Sequence, residues 1–203
     1  MTWSDPIVGA GFKPAPTAVR VQRRRRSLRL EGYDYSQAGG YFVTICTYHR
    51  KCLFGYVDES CVRLNEIGLI AQRTWHDLPS HYPHVSLDAF VVMPNHVHGV
   101  VMFVDEASAL PTGAGLKPAP TKFHALPEIV RAFKTFSARA INNHQRSRGK
   151  SLWQRNYYEH VIRDEKDLGR IRRYIAENPA RWAEDSNNPV LWDRLQSRIK
   201  GRV

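Results

Sequence analysis

Hydrophobic positions become regular from Gly40 onward. The run Tyr41-Phe42-Val43-Thr44-Ile45-Cys46-Thr47-Tyr48 is β-branched and aromatic and predicts a buried strand. Ile67, Ile70, Ala71, Thr74, Trp75 and Leu78 then recur at the spacing of one helical face. Two further strands are predicted over Val85–Met93 and His96–Val104; only the turn at Pro94-Asn95 separates them, so they should pair as a hairpin. A second helix over Leu126–Gln145 turns Ile129, Phe133, Phe136 and Ala140 to one side. A short strand near Tyr157–Ile162 follows the loop RSRGKS. The last helix starts at Asp164, a suitable N-cap, and buries Leu168, Ile171 and Ile175. Pro179 disfavours helical geometry at Asn178, where that helix is expected to end.

This order of elements predicts an α+β fold: a ferredoxin-like antiparallel sheet with helices packed on one face. Three regions are expected: a flexible basic arm over 1–32, a folded domain over 33–183 with an inserted loop at 106–122, and a C-terminal tail over 184–203. The arm mixes Pro and Gly with Arg20, Arg23, Arg24, Arg25 and Arg26. One peptide occurs twice, GAGFKPAPT at 9–17 and GAGLKPAPT at 113–121. Two short copies without hydrophobic faces cannot build a solenoid and read as insertions into loops.

Composition narrows the class. A chain of 203 residues that is 42% hydrophobic can bury a core. No apolar run reaches the ~20 residues of a membrane span, and the first residues lack a signal-peptide pattern, so a cytoplasmic protein with no membrane partner is expected. Cys46, Cys52 and Cys61 form no CxxC pair and read as reduced, packed side chains. The 30 Lys+Arg against 19 Asp+Glu, a net charge of +11, suit a polyanionic partner without proving one.

The chemistry concentrates in two places. In Met93-Pro94-Asn95-His96-Val97-His98 the histidines are two apart on a strand, so both imidazoles leave the same face and can supply nitrogen ligands to one divalent ion. No Gly-x-Ser-x-Gly elbow, cysteine motif or Walker loop is present, which turns the search for a nucleophile to tyrosine. Tyr174 lies on the last helix with Arg170 one turn before it and Asn178 one turn after it. By spacing alone Tyr174 reads as an amphipathic residue at the core edge, flanked by Ile171 and Ile175. Tyr157 and Tyr158 are rival nucleophiles. His76, His81 and His84 read as a loose surface cluster in a loop.

Taken together, MPNHVHGVV, a helix and then LWQRNYYEHVIRDEKDLGRIRRYIAENP resemble the REP-associated tyrosine transposases, single-tyrosine members of the HUH endonucleases, over roughly Gly40–Trp182. The resemblance implies a DNA transposase that cleaves and rejoins single-stranded DNA at REP-type hairpins through a 5′-phosphotyrosine. It implies Tyr174 as nucleophile, and His96, His98 and Asn178 as ligands of Mg²⁺ or Mn²⁺. It favours a monomer and leaves a dimer open. Arg155, Arg163, Arg170, Arg172 and Arg173, with the arginines of the arm, are the candidate DNA contacts. Binding to a DNA or RNA hairpin without cleavage is the competing reading.

Overall fold

The structure, a computed structural model, describes residues 33–104 and 124–191. The N-terminal arm with Arg20, Arg23, Arg24, Arg25 and Arg26, both copies of the repeated peptide and the tail beyond Leu191 lie outside these residues. In chain order the elements are β1 (Gly39–Cys46), β2 (Gly55–Asp58), β3 (Cys61–Leu64), α1 (Glu66–His76), α2 (Leu78–His81), β4 (Val85–Met93), β5 (His96–Phe103), α3 (Leu126–His144), β6 (Tyr158–Ile162) and α4 (Glu165–Glu177). No helix of the described residues is long and apolar enough to cross a membrane.

The main sheet has the order β4-β5-β1-β6, every neighbouring pair antiparallel. This is the expected antiparallel α+β architecture, and β4 and β5 form the expected hairpin. A second, two-stranded sheet joins β2 to β3.

Alternation along the strands divides the interior in two. Tyr41, Val43 and Ile45 of β1 and Val97, Val101 and Phe103 of β5 pack with Trp75 of α1 and Ile129 and Phe133 of α3 in the larger core. Phe42 and Val100 point the opposite way and meet Leu168, Ile171 and Ile175 of α4. The helices therefore do not all share one face: α1 and α3 cover one side, and α4 covers the other. Both sides of β1 and β5 are apolar for that reason. Gly99 makes room for the Trp75 ring against β5, since a Cβ there would collide with Trp75 Cζ2. That contact lies on the α1 side, opposite the face of β5 that carries His96 and His98.

Three local expectations need correction. Asn178 keeps right-handed helical angles (φ −57°, ψ −40°) despite the following proline. Helix α4 ends there, but the turn continues through Arg181 N–H to Glu177 O (3.2 Å) and Trp182 N–H to Pro179 O (3.2 Å). The preference imposed by proline was outweighed by this further turn. All three cysteines are free, but Cys52 and Cys61 are exposed and only Cys46 is partly buried. His76 and His81 end helices α1 and α2 instead of lying in a loop, and His84 is buried with its Nε2–H on His124 O.

Candidate active site

The turn between β4 and β5 is fixed before any function is considered. Thr47 donates its N–H to Asn95 O (2.9 Å) and places its hydroxyl between Lys51 O (2.8 Å) and Asn95 O (3.0 Å), while Leu53 and Phe54 both donate N–H to Pro94 O (2.8 and 3.0 Å). Asn95 is wholly buried, and its Nδ2 donates to Arg50 O (2.9 Å) and Asn187 O (2.7 Å). The amide orientation is thus set by two carbonyls, leaving Oδ1 to accept from His96 Nδ1–H at 2.9 Å. That bond fixes the His96 tautomer and leaves its Nε2 a bare lone pair.

His98 is held in the same manner by a different strand. Thr44 lies opposite it on β1, and Thr44 Oγ1 meets His98 Nδ1 at 2.8 Å. A hydroxyl donates or accepts, so Thr44 serves either His98 tautomer. The two Nε2 atoms converge at 3.0 Å. Phe42 stacks on His98 at 5.4 Å between centroids.

Two oxygens close on this pair. Asp185 Oδ2 stands 3.6 Å from His96 Nε2, and its side chain is only 6% exposed. Neither Asp185 Oδ2 nor the buried Asn178 Oδ1 has a hydrogen-bond partner among the described residues. The Asn178 amide lies close enough to act on both His96 and Tyr174, but without ordinary hydrogen-bond geometry at its oxygen. Burial, and then the Arg50 charge, push His96 down to about 3. Burial and then His96 hold His98 well below its ordinary value. Both imidazoles are therefore neutral, and the His96–Asp185 contact is no ion pair.

Asp185 Oδ2 and Asn178 Oδ1 thus stand beside the two imidazoles as buried acceptors with no donor of their own among the described residues. Buried acceptors in that arrangement lack compensation unless a cation joins them. His96, His98 and Asp185 form a group able to hold a metal ion. The donor set, two nitrogens and two hard oxygens, fits a divalent ion such as Mg²⁺ or Mn²⁺.

Tyr174 reaches this cluster from α4. Asp164 caps the helix by accepting from Asp167 N–H (2.7 Å), and Ile171 and Ile175 anchor it on the sheet. Tyr174, on the next stripe, keeps 42% of its surface exposed while its hydroxyl approaches His98 Nε2 at 3.4 Å. Its ring meets Phe42 edge to face (5.9 Å). Burial and then the Asp185 charge raise its pKa. A cavity of about 730 Å³ opens beside it, lined by His98, Tyr158, His160, Arg170 and Tyr174 among others.

Of the rival tyrosines, Tyr158 shares the α4 side of the sheet. It pairs with Thr44, which pairs with His98 on its other side, so its backbone is two strand spacings, roughly 9–10 Å, from that histidine. Tyr157 carries Lys134 over its ring (5.3 Å). His160 Nε2 donates to Asp167 Oδ2 (2.7 Å), and Arg170 donates to Asp167 Oδ1 (2.6 Å), so one carboxylate orients two groups that line the cavity.

Among the candidate DNA contacts, Arg155 is exposed and lines a second cleft with Arg131, Lys134 and Lys150; Gln154 and Tyr157 border both cavities. Arg163 and Arg173 are exposed. Arg172 is committed to Asp88 (2.7 Å) and Glu165 (3.2 Å) and bridges α4 to β4.

Sequence reasoning missed Thr44, Asn95 and Asp185. The first two were legible in principle, as polar residues beside the histidines in register and in sequence. Asp185 had no signal, because residues 182–188 follow no periodicity. That segment is tied down by Arg50 Nη1–H on Ser186 O (3.0 Å) and by the Asn95 bond to Asn187 O.

No family model matches the chain. A protein of Haemophilus influenzae described only as uncharacterized is 38% identical over 168 residues, which are 79% of this chain and 91% of that protein. A second protein of that bacterium, described as "Putative REP-associated tyrosine transposase", is 30% identical over 152 residues, 73% of this chain and 74% of the other. The solved structure of a REP-associated tyrosine transposase bound to a REP hairpin shares the fold, with a TM-score of 0.53 at 19% identity over 76% of this chain and 74% of that one. The sheet with its paired histidines and facing tyrosine belongs to a transposase. Within that class, the chain is a member of the REP-associated tyrosine transposase family.

Proposed function

We propose that this transposase cuts and rejoins single-stranded DNA beside a REP-type hairpin, with Tyr174 as nucleophile. The observation that carries this reading is the Tyr174 hydroxyl, 3.4 Å from His98 Nε2 and open to a cavity large enough for a nucleotide. The phenol oxygen attacks phosphorus, the P–O3′ bond breaks, and the products are a 5′-phosphotyrosine and a free 3′-hydroxyl. The phenol proton is released and the departing 3′ oxygen takes one up, so the step is balanced. A 3′-hydroxyl from another strand reverses it without ATP.

His96, His98, Asn178 and Asp185 would hold the divalent ion, which supplies positive charge to polarise the scissile phosphate. Asn95 and Thr44 keep the imidazoles turned toward it. Arg170, steadied by Asp167, offers a guanidinium to a phosphate oxygen in the cavity. The basic cleft of Arg131, Lys150 and Arg155 gives the strand a path away from it.

The test is incubation with a labelled single-stranded hairpin and Mg²⁺, followed by denaturing electrophoresis. A labelled band that migrates with the protein is expected. Tight binding without that band would establish a binding protein in place of an enzyme.

A further inference from the structure

The repeated peptide is a sequence feature that the proposed function does not use, and the described ends of one connection bear on its second copy. The second copy lies in the connection between β5 and α3. The chain leaves β5 at Val104, whose N–H donates to His84 O (3.1 Å), and reaches α3 past His124, whose carbonyl accepts from His84 Nε2–H (3.0 Å). One residue thus holds both ends of the connection. A loop of ordinary length, about 4–6 residues, would close it, yet residues 105–123 stand there. The topology does not require an insertion of this size.

We propose that both peptides are translated copies of the DNA palindrome this protein binds, an inference that rests on hairpin DNA being its substrate. The genetic code carries the argument. Amino-acid identity fixes the first two codon letters as GT for valine, GG for glycine, GC for alanine, CC for proline, AC for threonine, TT for phenylalanine and AA for lysine. Taken inward from the ends of VGAGFKPAPT, Val8 and Thr17 give GT and AC, and Gly9 and Pro16 give GG and CC. Ala10 and Ala15 give GC and GC, Gly11 and Pro14 give GG and CC, and Phe12 and Lys13 give TT and AA. Every pair is a reverse complement before any codon has been chosen.

Choice of the third letters completes GTAGGGGCGGGTTTCAAACCCGCCCCTAC, whose arms are perfect reverse complements around one central base. In the second copy Gly113 with Pro120, Ala114 with Ala119 and Gly115 with Pro118 repeat the pattern, and Leu116 matches Lys117 through a TT leucine codon. The single difference between the copies, Phe12 against Leu116, then reduces to the third letter of that codon, the one unpaired base at the centre. Selection on the peptide gives no reason for the change to fall there. Complementarity stops at Thr112, whose AC does not pair with the AC of Thr121, so the second stem is the shorter. A glycine-rich half followed by a proline-rich half is what a GC-rich hairpin encodes in this frame.

The experiment has two arms. Sequencing the gene should find third letters that pair within each copy; unpaired third letters in both would overturn the proposal. Full-length protein should bind the single-stranded palindrome above at least about tenfold more tightly than a hairpin of equal stem length and composition with a shuffled stem. Equal affinity for the two would also overturn it. The outcome is separable from that of the proposed function. A different hairpin that forms the tyrosine adduct while the palindrome is ignored sinks this inference and leaves the enzyme standing. Preferential binding of the palindrome with no adduct on any hairpin sustains the inference and removes the cleavage reading.

Discussion

Asp185 Oδ2 lies 3.6 Å from His96 Nε2, although most of the second half of the chain separates the two residues. The contact brings a carboxylate oxygen without a hydrogen-bond partner among the described residues to a pair of neutral imidazoles, while Oδ1 of the same carboxylate accepts from Asn187 N–H (2.6 Å). In the absence of a cation, such crowding of acceptors costs stability.

Asp185→Asn should therefore have two opposite effects. Without divalent ion the variant should melt at the same temperature as the parent or higher, because the amide can donate into the cluster; a gain on the order of 1 kcal/mol is expected. The thermal shift produced by a fixed high concentration of Mn²⁺ should shrink, since ion binding stabilises the folded state by an amount that rises with the logarithm of its affinity. Scanning calorimetry at several Mn²⁺ concentrations measures both. An unchanged Mn²⁺ response would remove Asp185 from the ligand set and leave His96, His98 and Asn178.

Tyr174→Phe should abolish covalent attachment to DNA while leaving hairpin affinity within about twofold. The change removes one hydroxyl from a residue that is 42% exposed and keeps the ring packed on Phe42, so the fold should persist. Adduct formation by the phenylalanine variant would transfer the role to Tyr157 or Tyr158, which line the same cavity.

Much of this architecture was legible from periodicity. The strands at β1, β4, β5 and β6 and the helices α1, α3 and α4 follow the alternation and helical spacing of their apolar residues. The hairpin of β2 and β3 did not announce itself, because each strand has only four residues and its tight turn uses Glu59 and Ser60. Both have positive φ (45° and 64°), where Asn-Gly would have been the recognisable signal. The side of the sheet taken by α4 was hidden for another reason. Tyr41, Phe42 and Val43 are all apolar, so β1 indicates that both faces are covered without indicating by which helix. In the site, strand spacing marked His96 and His98 and the family resemblance singled out Tyr174 and Asn178, whereas Asp185 is brought in by tertiary contacts of Arg50 and Asn95 that no local pattern encodes.

A pH effect follows from Asp167. Hydrogen bonds from His160 and then Arg170 depress its carboxyl to about 2 from 3.8. A depressed carboxyl contributes stability that is complete above its unfolded value and is lost as pH falls through the folded one. Wild-type protein should hence lose its advantage over Asp167→Asn between pH 3.8 and about 2, and the two should unfold alike below that range. Urea midpoints across this interval give the comparison. Parallel curves for the two proteins would show that the carboxylate contributes nothing to stability.

The final prediction concerns the arginines of the N-terminal arm, which carry charge but no detectable periodicity. Removing residues 1–30 takes away Arg20, Arg23, Arg24, Arg25, Arg26 and Arg29 and leaves every element of the sheet in place. If these side chains neutralise phosphates, removal of each such arginine should reduce the slope of log affinity against log salt by about 0.7 on a single strand. The truncated protein should bind a hairpin with a single-stranded flank more weakly at low salt and approach the full-length protein as salt rises. Its far-ultraviolet spectrum and melting transition should stay those of a folded domain. Charge reversal at Lys150 and Arg155 provides the contrast, because those residues line the cleft that shares Gln154 and Tyr157 with the cavity beside Tyr174. Their replacement by Glu should lower adduct yield as well as affinity, whereas loss of the arm should lower affinity alone once DNA is saturating. An unchanged salt slope after truncation would show that the arm is a solvated extension, and the cleft would then have to account for the salt dependence.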